Sequence, residues 1–157
     1  MDMYTPEKAF EQYRSLVEDN DAAMPILMFA GEHQLGLAGL EVGEEGIQPV
    51  LAQALPHMKS QLGQPRWLVL SMESFMKPFE KDERVYEFQP GDLQRAHAAG
   101  DVAVRDCVMI SAVSAGGERW NYMRLFTRTD TGITWEEPTV SYDAAGGVID
   151  LLFHAVR

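Results

Sequence analysis

The sequence predicts an α+β domain, with helices packed on a mixed, mostly antiparallel sheet in the order α-β-β-α-β-(α)-β-β-β-α. Three observations predict it. An amphipathic helical segment opens the chain. A second helical segment, residues 44–63, separates a short strand pair from a nearly all-apolar strand. Residues 105–137 then alternate their side chains and break at turn residues, as a β-meander does.

Taken in order, "TPEKAFEQYRSLVED" is a helix with Thr5 as its cap and Pro6 in its first turn, where a missing N–H costs nothing. Phe10, Tyr13, Leu16 and Val17 form its apolar stripe. "PILMFA" and "HQLGLAGLEV" form a hairpin across Gly31 and Glu32. Gly36 and Gly39 weaken the second strand and signal a bulge or a close neighbour. In "EEGIQPVLAQALPHMKSQLG", residues Ile47, Leu51, Leu55, Met58 and Leu62 keep helical spacing and Gly63 stops the helix. Pro56 should kink it or split it.

"RWLVLSM" is apolar on both faces and is expected as a central strand. Residues 77–91 form a charged excursion, expected to be the most mobile internal segment. "PGDLQRAHAAG" holds a short helix with Asp92 as its cap. In the meander, "RDCVMISAV" turns at Gly116-Gly117 into "RWNYMRLFTR", which turns near "TDTG" into "ITWEE". "VIDLLFHAVR" is a closing helix. The crossover helix between strands predicts one parallel step. No composition shift or linker divides the chain, so residues 1–157 are expected to form one domain.

Charge and cysteine content narrow the function classes. With 24 acidic and 13 basic residues the formal charge is −11, which disfavours binding to nucleic acid or to a membrane surface. The single cysteine, Cys107, excludes an intrachain disulfide and suits a cytoplasmic setting. The N-terminus lacks a signal-peptide pattern, and no apolar run approaches the ~20 residues that a membrane span needs.

Motifs for chemistry are missing. His33, His57, His97 and His154 stand apart, without HExxH, HxH or paired CxxC, so no metal or other cofactor is expected. The helix-hairpin-helix-strand opening resembles deaminase-like and JAB/MPN metalloprotease folds, but both need a zinc motif that this chain lacks. Glu73 and Lys77 are spaced ExxxK, which does not fit a metal-dependent nuclease. There is no nucleophile elbow and no phosphate-binding glycine loop. Cys107 lies in a predicted strand, as a buried and inert thiol would.

Glu73 is the remaining catalytic candidate. It shares a strand face with Trp67, Val69, Ser71 and Phe75, at the edge of the buried stretch. A desolvated carboxylate there would suit a general acid in a small hydrolase; otherwise it marks the chain's exit from the core. In the meander, a two-residue turn at Gly116-Gly117 would set Val113 opposite Trp120, Ser111 opposite Tyr122 and Cys107 opposite Phe126. A loop at 129–132 would set Phe126 opposite Trp135 and Arg124 opposite Glu137. Trp120, Tyr122, Arg124, Phe126, Trp135 and Glu137 would then form one face, a candidate surface for a protein partner or for self-association into a homo-oligomer. The alternative is that a second layer of the same chain covers it. Val108, Ile110, Ala112, Met123 and Leu125 would form the opposite, helix-covered side.

The run "RWLVLSMESFMK", followed by "PGDLQRAHAAGD" and "WEEP", resembles small proteins of unknown function from bacteria, particularly actinobacteria, and their phages. That resemblance implies a phage-related or accessory role and no catalytic residue. The leading expectation is therefore a non-enzymatic binding or assembly module. Its rivals are a small hydrolase with a cleft near Glu73 and an acidic inhibitor imitating DNA. The last would need Glu41, Glu44, Glu45, Glu80, Asp82, Glu83 and Glu87 to converge.

Overall fold

A computed structural model describes residues 4–77, 91–143 and 147–157. Helix α1 spans Pro6–Glu18, and strands β1 and β2 span Ile26–Ala30 and Leu35–Gly39. Helix α2 spans Ile47–Leu62, β3 Trp67–Met76 and α3 Asp92–Ala98. The meander is β4 (Arg105–Ser114), β5 (Arg119–Thr129) and β6 (Gly132–Trp135). It continues into β7 (Thr139–Tyr142), which the sequence reading did not anticipate, and the chain closes with α4 (Gly147–Ala155). The charged excursion falls almost entirely on residues 78–90, outside the described residues.

The strands form a seven-stranded sheet in the order β2-β1-β3-β4-β5-β6, with β7 also paired to β5. The fold is α+β, as expected. Every described pairing is antiparallel, so the expected parallel step is corrected. The reason is topological. Helix α2 does join two strands of the same direction, β2 and β3, but β1 lies between them and pairs antiparallel with each.

Local signals explain the helices. Thr5 Oγ1 accepts from the Lys8 N–H at 3.2 Å, and Pro6 follows it. Ala9, Phe10, Tyr13 and Val17 are the buried stripe of α1. Helix α2 is not split at Pro56. Pro56 and Ala52 both lie on its exposed side, so the Ala52 carbonyl left without an N–H partner faces water. The cap of α3 is Gly91, in left-handed geometry at φ 89°, rather than Asp92, which sits in the first turn.

The helices sandwich the sheet. On one face, α1 packs against Met28, Trp67, Val69, Val108, Ile110, Trp120, Tyr122 and Phe126. On the other, α2 and α4 bury Leu27, Phe29, Leu68, Leu70 and Val113. Burial on both faces is why β3 begins as an unbroken apolar run.

The β4–β5 turn has one more residue than expected, and that changes every pairing between these two strands. Gly117 N–H donates to the Ser114 carbonyl at 3.1 Å, and Ser114 N–H to the Glu118 carbonyl at 2.9 Å. The loop is therefore Ala115-Gly116-Gly117, with Gly117 at φ 92°, the left-handed position that a three-residue hairpin loop needs. Ala112 lies opposite Trp120, Ile110 opposite Tyr122 and Asp106 opposite Phe126. A one-residue shift moves a strand's whole set to the other face. Hence Val108, Ile110 and Ala112 share a face with the aromatics, and Met123 and Leu125 face the other way with Met109 and Cys107. Phe126 does pair with Trp135.

Trp120 is 3% exposed and its Nε1 donates to the Tyr4 carbonyl at 3.1 Å. Trp120→Ala should therefore cost about 3–5 kcal/mol of stability, the scale for a buried aromatic. Urea unfolding would read it as a lowered midpoint, and an unchanged midpoint would contradict the packing.

Candidate functional site

Glu73 comes first because β3 carries it out beneath the end of α1. Its side chain is 12% exposed and meets Arg128 of β5, whose Nη2 lies 2.8 Å from Oε1 and 3.0 Å from Oε2. Ala23 N–H donates to Oε2 at 2.8 Å. The same guanidinium donates through Nη1 to the Val17 carbonyl in the last turn of α1, at 3.2 Å, where a cation also suits the helix dipole. Tyr13 O–H donates to the Met24 carbonyl at 2.9 Å. Burial, then the Glu73 charge, pushes the Tyr13 hydroxyl well above its ordinary value. One ion pair thus ties two strands, the end of α1 and the α1–β1 connection together.

A general acid needs a proton on its carboxyl and room for a substrate. Both Glu73 oxygens accept hydrogen bonds from protein donors, and Glu73 lines neither of two cavities found among the described residues. One of these, about 580 Å³, lies between residues 42–46 and α3. The other, about 240 Å³, lies between the start of α1 and Trp120 and Tyr142. The sequence could not name Arg128, which is 55 residues away and meets Glu73 only through the sheet order.

A second polar group joins α3 to the sheet. The His97 ring packs on Phe75 at 4.7 Å between centroids, and its Nε2 is 3.6 Å from Asp106 Oδ2. Lys77 Nζ is 3.7 Å from Asp101 Oδ2. His97 and Asp106 line neither of those cavities, so the imidazole–carboxylate pair and the open volumes are separate. Among the described residues, no three of His, Cys, Asp and Glu come together as metal ligands.

The aromatic residues singled out as an interface lie elsewhere than expected. Trp120, Tyr122 and Phe126 are buried beneath α1, with the Tyr122 ring stacked on Phe10 at 5.3 Å. Trp135 is half-buried, 5.0 Å from Phe126, and its Nε1 donates to Glu18 Oε1 at 3.2 Å. Arg124 lies over Phe10 at 4.9 Å and donates through Nε to the Glu136 carbonyl at 2.5 Å, not to Glu137, which is exposed. The assignment of this face to a partner is corrected: α1 is the second layer that covers it.

Val102 and Tyr142 are exposed singly, and a group of exposed apolar side chains lies at the other end of the sheet. Leu35 and Leu37 of β2 are 61% and 67% exposed, and neighbouring Met24 is 47% exposed. Residues 36 and 38 face α2, and Gly36 lets the helix come close: a Cβ would lie 2.4 Å from Leu62 Cδ1, which would have to shift. The close neighbour expected from the two glycines is present at both, because a Cβ on Gly39 would lie 2.5 Å from Met24 Sδ. Leu40 N–H donates to the Pro25 carbonyl at 2.9 Å, and Gly31 N–H to the Gln34 carbonyl at 2.8 Å. In an antiparallel ladder this phase turns the backbone groups of even-numbered β2 residues toward β1. Those of Leu35, Leu37 and Gly39 point off the sheet.

Arg128→Met would leave Glu73 buried without its cation, and should lower stability by about 2–3 kcal/mol. Combining it with Glu73→Gln should cost less than the sum of the two single changes, the signature of a coupled pair. Urea unfolding of the four proteins would check this.

Burial, then the charges of Asp106 and Glu73, pushes the Cys107 thiol up to about 12 from 9.0. A proton held more tightly in the folded state leaves the stabilisation intact below the unfolded value, and it is lost as pH rises from 9 toward 12. Tyr13 adds in the same direction above 10.0. Urea midpoints should fall between about pH 8 and pH 10.5. Cys107 should react with a thiol reagent only after unfolding, and rapid labelling of the native protein would refute its burial. Comparison of the chain with protein-family models, curated proteins and solved structures finds no match.

Proposed function

We propose that the protein is a non-enzymatic binding or assembly module that works through a protein–protein contact, and that the contact is the β2 edge of its sheet. The observation that carries this reading is an edge strand that is unguarded among the described residues. Proteins that do not pair an edge usually blunt it with charge, proline or a bulge. Residues 34–40 of this chain, "QLGLAGL", contain no Lys, Arg, Asp, Glu or Pro. They instead expose Leu35 and Leu37 beside backbone groups that point off the sheet. On a chain of formal charge −11, three of the exposed large apolar side chains, Met24, Leu35 and Leu37, therefore lie together where a strand can be added.

The hydrolase reading needs Glu73 to line a cleft with a free carboxyl, and the contacts from Arg128 and Ala23 disfavour it. The DNA-imitation reading needs Glu80, Asp82, Glu83 and Glu87, which lie outside the described residues. The resemblance seen in the sequence adds a phage-related or accessory setting to the proposal, with the contact serving assembly rather than turnover.

Affinity capture from the native host would test it, with the wild-type chain and Leu37→Lys as paired baits. The expected result is at least one protein, this chain included, retained by the wild type and lost with the variant at unchanged melting temperature. Identical retained sets would overturn the assignment to β2.

A further inference from the structure

Resting on the reading of β2 as the contact, we propose that its occupant is a second copy of this chain. The two β2 strands would pair antiparallel about a two-fold axis at Leu37, joining two sheets into one. Three features of the strand select this partner and this register.

The first is hydrogen bonding. Leu35, Leu37 and Gly39 carry the outward backbone groups, so an added strand must place its own outward residues opposite them. A register centred on Leu37 does this, setting Leu37 opposite Leu37 and Leu35 opposite Gly39 of the second copy.

The second is size. On the face that α1 leaves uncovered, the strand presents Leu35, Leu37 and Gly39 in turn, large, large and absent. The Leu37-centred register lays each Leu35 over a Gly39, which has no side chain of its own, so that Leu35 meets the flexible Met24 side chain that covers the glycine, with Sδ 2.5 Å from where a Cβ would be. A register centred on Leu35 or on Gly39 would lose that match. On the other face it pairs Gly36 with Ala38, two small residues on the side covered by α2.

The third is charge. Two residues beyond the strand at each end, the same register sets His33 opposite Glu41 of the second copy, twice by symmetry. Both residues are exposed. No carboxylate lies opposite another carboxylate along residues 33–41, because Glu41 is the only acidic residue in that stretch.

A two-fold contact of this kind uses the same surface on both copies and closes on itself. A five-residue strand pair is at the small end of specific interfaces, below about 1,200 Å², so the dimer is readily reversible. Two acidic chains also repel, so added salt should favour it.

The test combines sedimentation with cysteine trapping of the full chain. Residues directly opposite in a hydrogen-bonded antiparallel pair have Cα atoms about 5.5 Å apart, within disulfide range. Leu37→Cys should therefore cross-link to a covalent dimer on mild oxidation. Leu35→Cys should not, because its counterpart lies four residues along the partner strand. Sedimentation velocity should show a concentration-dependent dimer for the wild type and a monomer for Leu37→Lys, with equal melting temperatures. A dimer that survives Leu37→Lys, without cross-linking through Leu37→Cys, would place self-association elsewhere and overturn the proposal. A wild type that stays monomeric also overturns it. Hydrogen exchange of Leu35, Leu37 and Gly39 then separates the two readings. Amides that become protected in host lysate, and lose that protection in Leu37→Lys, would keep the edge as a contact for a different protein. Amides that stay unprotected would remove both.

Discussion

One helix has to cover one face of a sheet six strands across, and it is too narrow to do so. Six strands at about 4.8 Å spacing span roughly 24 Å, whereas a helix with its side chains is about 10–12 Å wide. On the opposite face two helices, α2 and α4, share the work. On this face α1 lies over the centre and the β5–β6 side, where the bulkiest residues are. Phe10 meets Tyr122 and Trp135, and Tyr13 and Val17 sit toward β3 and the Arg128 contact. What α1 cannot reach is β2. Leu35 and Leu37 are exposed because of the width of the layer above them, not because the strand is polar.

The ion pair between Glu73 and Arg128 fixes where that single helix lies. Apolar contact alone is non-directional, so a helix held on a sheet by burial alone could slide or rotate at small cost. Arg128 reaches the last turn of α1 through the Val17 carbonyl while holding Glu73 on β3, and Glu73 holds the chain just after the helix through Ala23. A buried pair of this kind is a weak source of net stability, because desolvation offsets most of the attraction. Its contribution here is orientation: α1 stays over the meander and leaves β2 clear. The same arrangement occupies the carboxylate that the sequence marks as the candidate acid.

Local features of the fold were legible and long-range ones were not. The Thr5-Pro6 cap, the stripe at residues 10, 13 and 17, and the uniform run at 67–71 rest on interactions within a few residues, and the structure repeats them. The β4–β5 pairing was lost on a single residue. "AGGE" allows a loop of either two or three residues, and only the left-handed geometry at Gly117 tells which. Because side chains alternate, that one residue moved Trp120, Tyr122 and Phe126 from an open face to a covered one. The partner of Glu73 and the edge position of β2 both depend on strand order, which no local pattern records. Gly36 and Gly39 were the available signal for β2: they announced close neighbours, which proved to be Leu62 and Met24.

An exposed apolar edge is normally an aggregation hazard, and two features of this chain limit it. The opposite edge of the sheet is different in kind: β6 is only four residues long, and Trp135 at its end is turned back onto Phe10 and Phe126. The rest of that side is β7, four residues of which Tyr142 is 67% exposed, so a copy joined through β2 leaves only short strands at its far side among the described residues, and growth into a fibre would need an unlike contact. The net charge of −11 acts at longer range, raising the cost of each further chain while leaving the uncharged stretch 34–40 able to pair once. The acidity that disfavours nucleic acid and membrane surfaces then has a more specific consequence. It permits an unguarded edge, because any contact has to supply enough local fit to overcome the repulsion, and on β2 that fit is confined to the alternation of Leu35, Leu37 and Gly39.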